Sequence, residues 1–268
     1  MKNKLAIFDV DFTIKEHHGD GSKDGVFRSP LGFAKLFPNE KLPEEFFTIL
    51  KENGYHSFIL AVVTALNKLG KTKDDIIDAL ASDGHLVKGM DKVFELLVKD
   101  YDIIIISGGY DEMVKRFLSR YVPTLRNMNF EICLTQIDES LRYGLLEQVS
   151  KIFAHPAMVS EDGKFEINSI SKDWGGPCNV KIMHKGIGPE KLAICKMAIL
   201  KHYLQLHQYE KIVFFGDGSN DLCLSLYLSS NDIVFPREGY KLASLLDQHC
   251  VQANVITWKD GFDIVKHI

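Results

Sequence analysis

Lys4-Leu5-Ala6-Ile7-Phe8-Asp9-Val10-Asp11-Phe12-Thr13 begins as an apolar run of strand length and ends on two acids. The run has no polar side, so both of its faces must be covered, as they are in a parallel sheet. The aspartates stand two residues apart, and a period of two aims both the same way from the end of a strand. Working outward, comparable runs recur at residues 102–107, 131–135, 211–216, 232–235 and 254–258. Between them Met90, Val93, Phe94 and Leu97 repeat at helical spacing, as do Val114, Phe117, Leu118 and Tyr121. This alternation predicts an α/β fold, a parallel sheet flanked by helices, with ligands beyond the carboxyl ends of its strands.

Residues 15–88 break the rhythm with helical segments and no convincing strand. We read them as a helical cap inserted into a core formed by residues 1–14 and 89–268. Ile59, Val62, Val63 and Leu66 make one apolar face that Gly70 ends, and Thr72 stands where an N-cap is needed for a helix over 76–80. Residues 19–25, rich in Gly, Asp and Ser, form the connection into this insert. A second irregular region, 153–185, places Glu161-Asp162-Gly163-Lys164 at the turn of a hairpin.

The 268 residues are 46% hydrophobic and 25% charged with a net charge of -4, which describes a soluble globular chain. No basic block is present, so neither nucleic acid nor an anionic membrane is the expected partner, and a small metabolite is. No stretch of about 18 apolar residues predicts a membrane-spanning helix. The first apolar run contains Asp9 and is too short for a signal peptide. Five irregularly spaced cysteines draw no disulfide framework, so a cytoplasmic location is expected.

The chemistry gathers where strands end. The run 102–107 leads into Ser107-Gly108-Gly109, whose hydroxyl and unobstructed amides suit phosphate oxygens. The run 211–215 leads into Gly216-Asp217-Gly218-Ser219-Asn220-Asp221, with two more carboxylates four residues apart. Asp9, Asp11, Asp217 and Asp221 are then expected to converge, and such a group stays ionised only beside a positive charge. Oxygen-only ligands select a hard cation, Mg²⁺ rather than Ca²⁺. His17, His18 and Asp20 suggest zinc less well, because adjacent histidines point apart and an exposed lead into the insert accounts for them. The cysteines lack the surroundings that activate a thiolate.

In this order the motifs resemble those of haloacid dehalogenase (HAD) type phosphatases, and the likeness spans the chain. It implies a Rossmann-like core in which Asp9 attacks phosphorus and Asp11 is the general acid and base. It also implies that Asp9, the carbonyl of Asp11, Asp217 and Asp221 hold Mg²⁺, and that Ser107, Gly108 and Gly109 bind phosphate. The family's lysine at a helix start is assigned to Lys191, which follows Gly188-Pro189-Glu190, with Lys185 and Lys181 as rivals. The string Phe235-Pro236-Arg237-Glu238-Gly239-Tyr240 is similar to one in the phosphoethanolamine/phosphocholine phosphatase family, which includes pyridoxal-phosphate phosphatases. Asp20 falls where that family places an acid for substrate recognition.

Gly108 stands where the family has an aspartate, which makes Ser-Gly-Gly more similar to phosphoserine phosphatase, and Phe12 stands where glutamate is usual. Asp111 either replaces the missing charge or caps the next helix, and the cap is favoured. The resemblance thus implies a Mg²⁺-dependent phosphomonoester hydrolase acting through an aspartyl-phosphate. Phosphoethanolamine or phosphocholine ranks first as substrate, pyridoxal 5′-phosphate next and phosphoserine third. The rival classes are a phosphotransferase and a catalytically silent binding protein. An apolar patch on the cap leaves a homodimer open.

Overall fold

Alternate residues of the first strand set up two cores, one on each side of a sheet. The computed structural model describes residues 2–17, 31–121, 131–132, 151–167 and 194–268. In chain order its elements begin with β1 (Lys4–Phe8), β2 (Lys15–Glu16), α1 (Leu31–Ala34), α2 (Glu44–Lys68), α3 (Lys73–Ala81) and β3 (His85–Leu86). They continue with α4 (Met90–Asp100), β4 (Tyr101–Tyr110), α5 (Asp111–Tyr121), β5 (Glu131–Ile132), β6 (Lys151–His155), β7 (Ala157–Val159) and β8 (Phe165–Ile167). The last are α6 (Lys196–Leu206), β9 (Lys211–Gly216), α7 (Leu222–Tyr227), β10 (Ile233–Pro236), α8 (Lys241–Leu246), β11 (Asn254–Val255) and α9 (Gly261–Val265).

Seven strands form one sheet in the order β11-β10-β9-β1-β4-β6-β5, and every pairing in it is parallel. Leu5 and Ile7 pack with Ile104, Ile106 and Phe214 under α6, α7 and α8. Ala6 and Phe8 pack on the other side with Ile103, Ile105 and Phe215 under α4, α5 and α9. There Phe8 stacks on Phe215 at 4.3 Å between ring centroids, and Phe215 stacks on Phe235 at 4.8 Å. Fully burying such a side chain contributes about 1.5–3 kcal/mol, so this row of rings anchors the three strands that carry the site. The chain leaves β1 for β4 on one side and later returns to β9 on the other. That switch in strand order opens a crevice at the carboxyl ends of β1, β4 and β9.

The sequence missed one strand of the sheet. Lys151–His155, read as the approach to an irregular region, is β6 and fills the place between β4 and β5. Its apolar run is only Ile152-Phe153-Ala154 between a lysine and a histidine, and the pairing with β4 supplies what the pattern does not.

The insert between β1 and α4 is tied at its stem. There β2 pairs antiparallel with β3, and Val87 N donates to Ile14 O at 2.9 Å. Thr72 caps α3 as expected: its hydroxyl accepts from Asp75 N and the Asp75 carboxylate accepts from Thr72 N. Phe58, Ile59, Val62, Val63 and Leu66 of α2 and Ile76 and Ile77 of α3 are buried in the same apolar cluster as Ala6, Phe8 and Phe117, so the insert packs continuously with the core on that side. The hairpin β7–β8 turns through residues 160–164, as the sequence predicts, and docks on α2 through Asn67, which both donates to Phe165 O and accepts from Phe165 N. No helix among the described residues is long and apolar enough to cross a membrane.

Candidate active site

Strand pairing holds Asp9, because its N–H donates to Phe215 O at 3.0 Å. The chain then turns sharply. Val10 O accepts from Thr13, Ile14 and Lys15, and Phe12 adopts a left-handed φ of 58°. The period of two therefore stops at Val10, and Asp11 does not follow Asp9 into the acidic cluster. The expected convergence of four carboxylates becomes three: Asp9, Asp217 and Asp221 each offer an oxygen, all within 4.8 Å of one another.

Lys196, at the first position of α6, joins two of them. Its buried ammonium lies 2.8 Å from Asp9 Oδ1 and 2.5 Å from Asp221 Oδ1. Burial opposes its charge, but Asp221 and Asp9 outweigh that and hold it firmly protonated. The other oxygen of Asp221 accepts from Asp217 N and Gly218 N at 2.9 Å each. A methyl group on Gly216 would lie 2.6 Å from that oxygen, so glycine is required for the approach. Asp217 accepts from the buried Thr13 hydroxyl at 3.0 Å. Among the described residues Lys196 is the lysine beside these three carboxylates, paired with Asp9 and Asp221 and acting on Asp217 by its charge. Burial raises Asp9 to about 7, helped by Asp221 and Asp11 and opposed by Lys196. Burial also raises Asp217 well above the usual range, with Asp9 and Asp221 adding to it. Crowded hard oxygens with excess negative charge fit a divalent cation such as Mg²⁺.

The Ser107–Gly109 turn lies on β4, the neighbour of β1, close to Asp11. Ser107 is buried, its hydroxyl oxygen accepts from Gly109 N at 3.0 Å, and a methyl on Gly109 would meet that oxygen at 3.3 Å and Asp11 Oδ2 at 3.9 Å. Around Gly108 the space is open. Asp11 turns its Oδ1 to His17, whose Nε2 is 2.8 Å away, while Nδ1 lies 3.5 Å from Asp83 Oδ2. Burial disfavours the Asp11 charge, yet the hydrogen bond and charge of His17, with Lys15 and Lys196, hold the carboxyl at about 2. His17 in turn is raised: its burial is outweighed by the bonds to Asp11 and Asp83. The expectation that residue 17 belongs to an exposed lead into the insert is corrected, for its side chain is only 8% exposed.

The string that follows β10 braces the loop. Arg237 donates to Phe12 O at 2.6 Å and pairs with Glu16, while its guanidinium lies 4.7 Å from the Tyr240 ring centroid and 5.4 Å from that of Trp258. Such forked and stacked recognition belongs to arginine and not to lysine. Arg237→Lys should therefore lower stability by about 2 kcal/mol, the worth of a charged hydrogen bond. Urea midpoints check this, and a change below about 0.5 kcal/mol would remove Arg237 from this role.

Asp111 accepts from Glu112 N at 2.7 Å and Ala157 N at 2.9 Å, so it pins β7 to the start of α5; it is the first residue of that helix and makes no N-cap bond of the kind favoured from sequence. Lys191, Lys185, Lys181 and Asp20 lie outside the described residues, as does His18. The lysine that the structure brings to Asp9 is Lys196, which sequence reasoning passed over. It had a signal: Lys196, Ile199, Leu200 and Tyr203 are i, i+3, i+4 and i+7, and all four are buried. A lysine on an apolar stripe needs a buried partner.

The fold resembles solved phosphoserine phosphatases. One, a phospho-aspartyl intermediate analogue, aligns over all of both chains with a TM-score of 0.52 at 16% identity. The chain has the HAD-type fold, with a Rossmann-like core. Among its relatives are the pyridoxal phosphate phosphatase PHOSPHO2 of Bos taurus, 25% identical over 98% of this chain and 96% of the relative. The phosphoethanolamine/phosphocholine phosphatase of Gallus gallus is also 25% identical, over 98% of this chain and 87% of its own. A family model described as Putative Phosphatase matches residues 127–268, more than half of the chain, and the chain belongs to that family.

Proposed function

We propose that the protein hydrolyses a small phosphomonoester through an aspartyl-phosphate on Asp9, with Mg²⁺. The observation that carries this is Asp9 at the end of the central strand, fixed by Lys196 beside Asp217 and Asp221. Val10 N and Lys196 both bind Oδ1 of Asp9, which leaves Oδ2 as the attacking atom. Attack forms the Asp9–phosphorus bond and breaks the ester bond, while Asp11 gives a proton to the departing alkoxide. The substrate's dianion, arriving beside Asp11, opposes its ionised form and so favours the proton it must donate. Asp11, again a carboxylate, then takes a proton from water, whose oxygen attacks phosphorus and releases Asp9. Ser107 and the Gly108 and Gly109 amides would hold the phosphate oxygens. Asp9, Asp217, Asp221 and the carbonyl of Asp11 would hold Mg²⁺, which when bound neutralises charge on phosphate and carboxylates.

The insert is a cap over this crevice, where it would shield the site and select the leaving group. We take phosphoethanolamine or phosphocholine as the first substrate class and pyridoxal 5′-phosphate as the second, supported by the similarity to phosphatases named for them. Phosphoserine follows, because Ser107-Gly108-Gly109 is more similar to the turn of phosphoserine phosphatases. The test is phosphate release from these compounds and p-nitrophenyl phosphate, with Mg²⁺ or EDTA. Charge stabilisation by a metal is worth several kcal/mol, so EDTA should lower release by at least about a hundredfold. The highest kcat/KM assigns the substrate. No release from any compound by folded, Mg²⁺-loaded protein sinks the proposal.

A further inference from the structure

We propose that His17, held from the insert by Asp83, is a positioning residue for Asp11 and couples leaving-group protonation to the seating of the cap. This rests on the role given to Asp11 under the proposed function. Asp11 stands on a turn beyond β1, where an isolated bridge to Lys15 holds its backbone and leaves its side chain free to rotate. His17 Nε2 takes Oδ1 at 2.8 Å, and the carboxyl's other oxygen then lies on the side of Gly109, toward the phosphate turn. The imidazole is itself constrained. It packs against Phe12 at 4.8 Å between ring centroids, and its second nitrogen faces Asp83 at 3.5 Å.

Asp83 belongs wholly to the insert. It is buried, accepts from Gly32 N at 3.0 Å and has Lys35 Nζ 4.0 Å from its Oδ1. Gly32 is in α1 and Asp83 follows α3, so one carboxylate gathers two parts of the insert and meets the core through His17. Lys15 Nζ, donating to Leu80 O at 2.8 Å, ties the stem to the end of α3. His17 and Asp83 lie side by side at the stem, where β2 pairs with β3, so an insert lifted from the core would carry both away from Asp11 and release its rotamer. A seated one fixes it.

The test uses leaving groups. Loss of a positioned general acid costs about 10²–10⁴-fold for an alkyl phosphate but little for p-nitrophenyl phosphate, whose phenolate leaves without a proton. The parameter to compare is kcat/KM, which ends at the first irreversible step and excludes the later attack of water. His17→Ala should lower kcat/KM for phosphoethanolamine, or for whichever alkyl ester the wild type prefers, by about a hundredfold. For p-nitrophenyl phosphate it should stay within about threefold. His17→Gln, which keeps an N–H donor near the Nε2 position, should restore about tenfold, and Asp83→Asn should lose about tenfold on the alkyl ester alone. Equal losses on both esters, or none, overturn the proposal. If His17→Ala does not fold, the Gln and Asp83→Asn variants carry the same comparison. Wild-type protein that hydrolyses neither ester overturns the phosphatase role and this one with it, whereas an active wild type with undiscriminating variants overturns only the role of His17.

Discussion

Asp9→Asn should lower kcat for phosphate release by at least about 10⁴-fold while leaving the protein folded. The amide keeps an oxygen to accept from Val10 N and Lys196, so the geometry around Oδ1 survives. What disappears is a nucleophilic oxygen. The stability effect has a sign that separates loss of chemistry from loss of fold. Asp9 is raised to about 7 from an ordinary value near 4, so its ionised form is disfavoured in the folded state. A carboxyl raised in this way contributes stability below about pH 4 and loses it as pH rises through about 7. Asparagine removes that dependence. Without Mg²⁺, the Tm of Asp9→Asn relative to wild type should therefore be higher at pH 8 than at pH 5. Retention of more than about a hundredth of wild-type kcat, measured by phosphate release, would exclude Asp9 as the nucleophile.

How much of this could be read beforehand depended on whether the determinant was local. Strands β1, β4, β9 and β10 announce themselves because each is apolar on both faces and closes on a glycine, a proline or acids. The helices α4 and α5 do so because their buried residues fall at helical spacing. Strand β6 has polar residues at both ends and an apolar run of three, which gives neither signal. In the site, Asp9, Ser107, Asp217 and Asp221 sit at strand ends and were legible as motifs. Asp11 was legible as a residue but not in its direction, because the turn at Val10 and the positive φ of Phe12 depend on Arg237, more than two hundred positions away, gripping the Phe12 carbonyl. His17 looked like a solvated loop residue because its partner Asp83 lies across the whole insert. Lys196 was hidden differently. Lysines nearer a proline-marked helix start drew attention, while the decisive feature was its place on an apolar stripe.

Lys196→Met should cost about 3–5 kcal/mol of stability at pH 8, because removing one member of a buried ion pair strands the others. Methionine replaces the stem with a side chain of similar length, so packing along α6 beside Ile199 and Leu200 is largely kept and the loss is electrostatic. Three carboxylates within 4.8 Å would then face one another without a cation. Asp9 and Asp217 are already raised by burial and by their neighbours, and losing the ammonium pushes both further. Stability held by their protonated forms is present at low pH and lost as pH climbs through the raised values, so the deficit should be largest at pH 8 and shrink toward pH 5. Mg²⁺ brings positive charge to the same oxygens and should recover more stability in the variant than in wild type. Urea unfolding at both pH values, with and without Mg²⁺, reads all of this. A deficit unchanged between pH 8 and pH 5 would mean that lost packing, not stranded charge, sets it. Activity should fall in parallel by about 10²–10³-fold, the cost of one preorganised charge at a reacting centre, and magnesium should not restore it, because the ammonium also fixes which oxygen of Asp9 attacks.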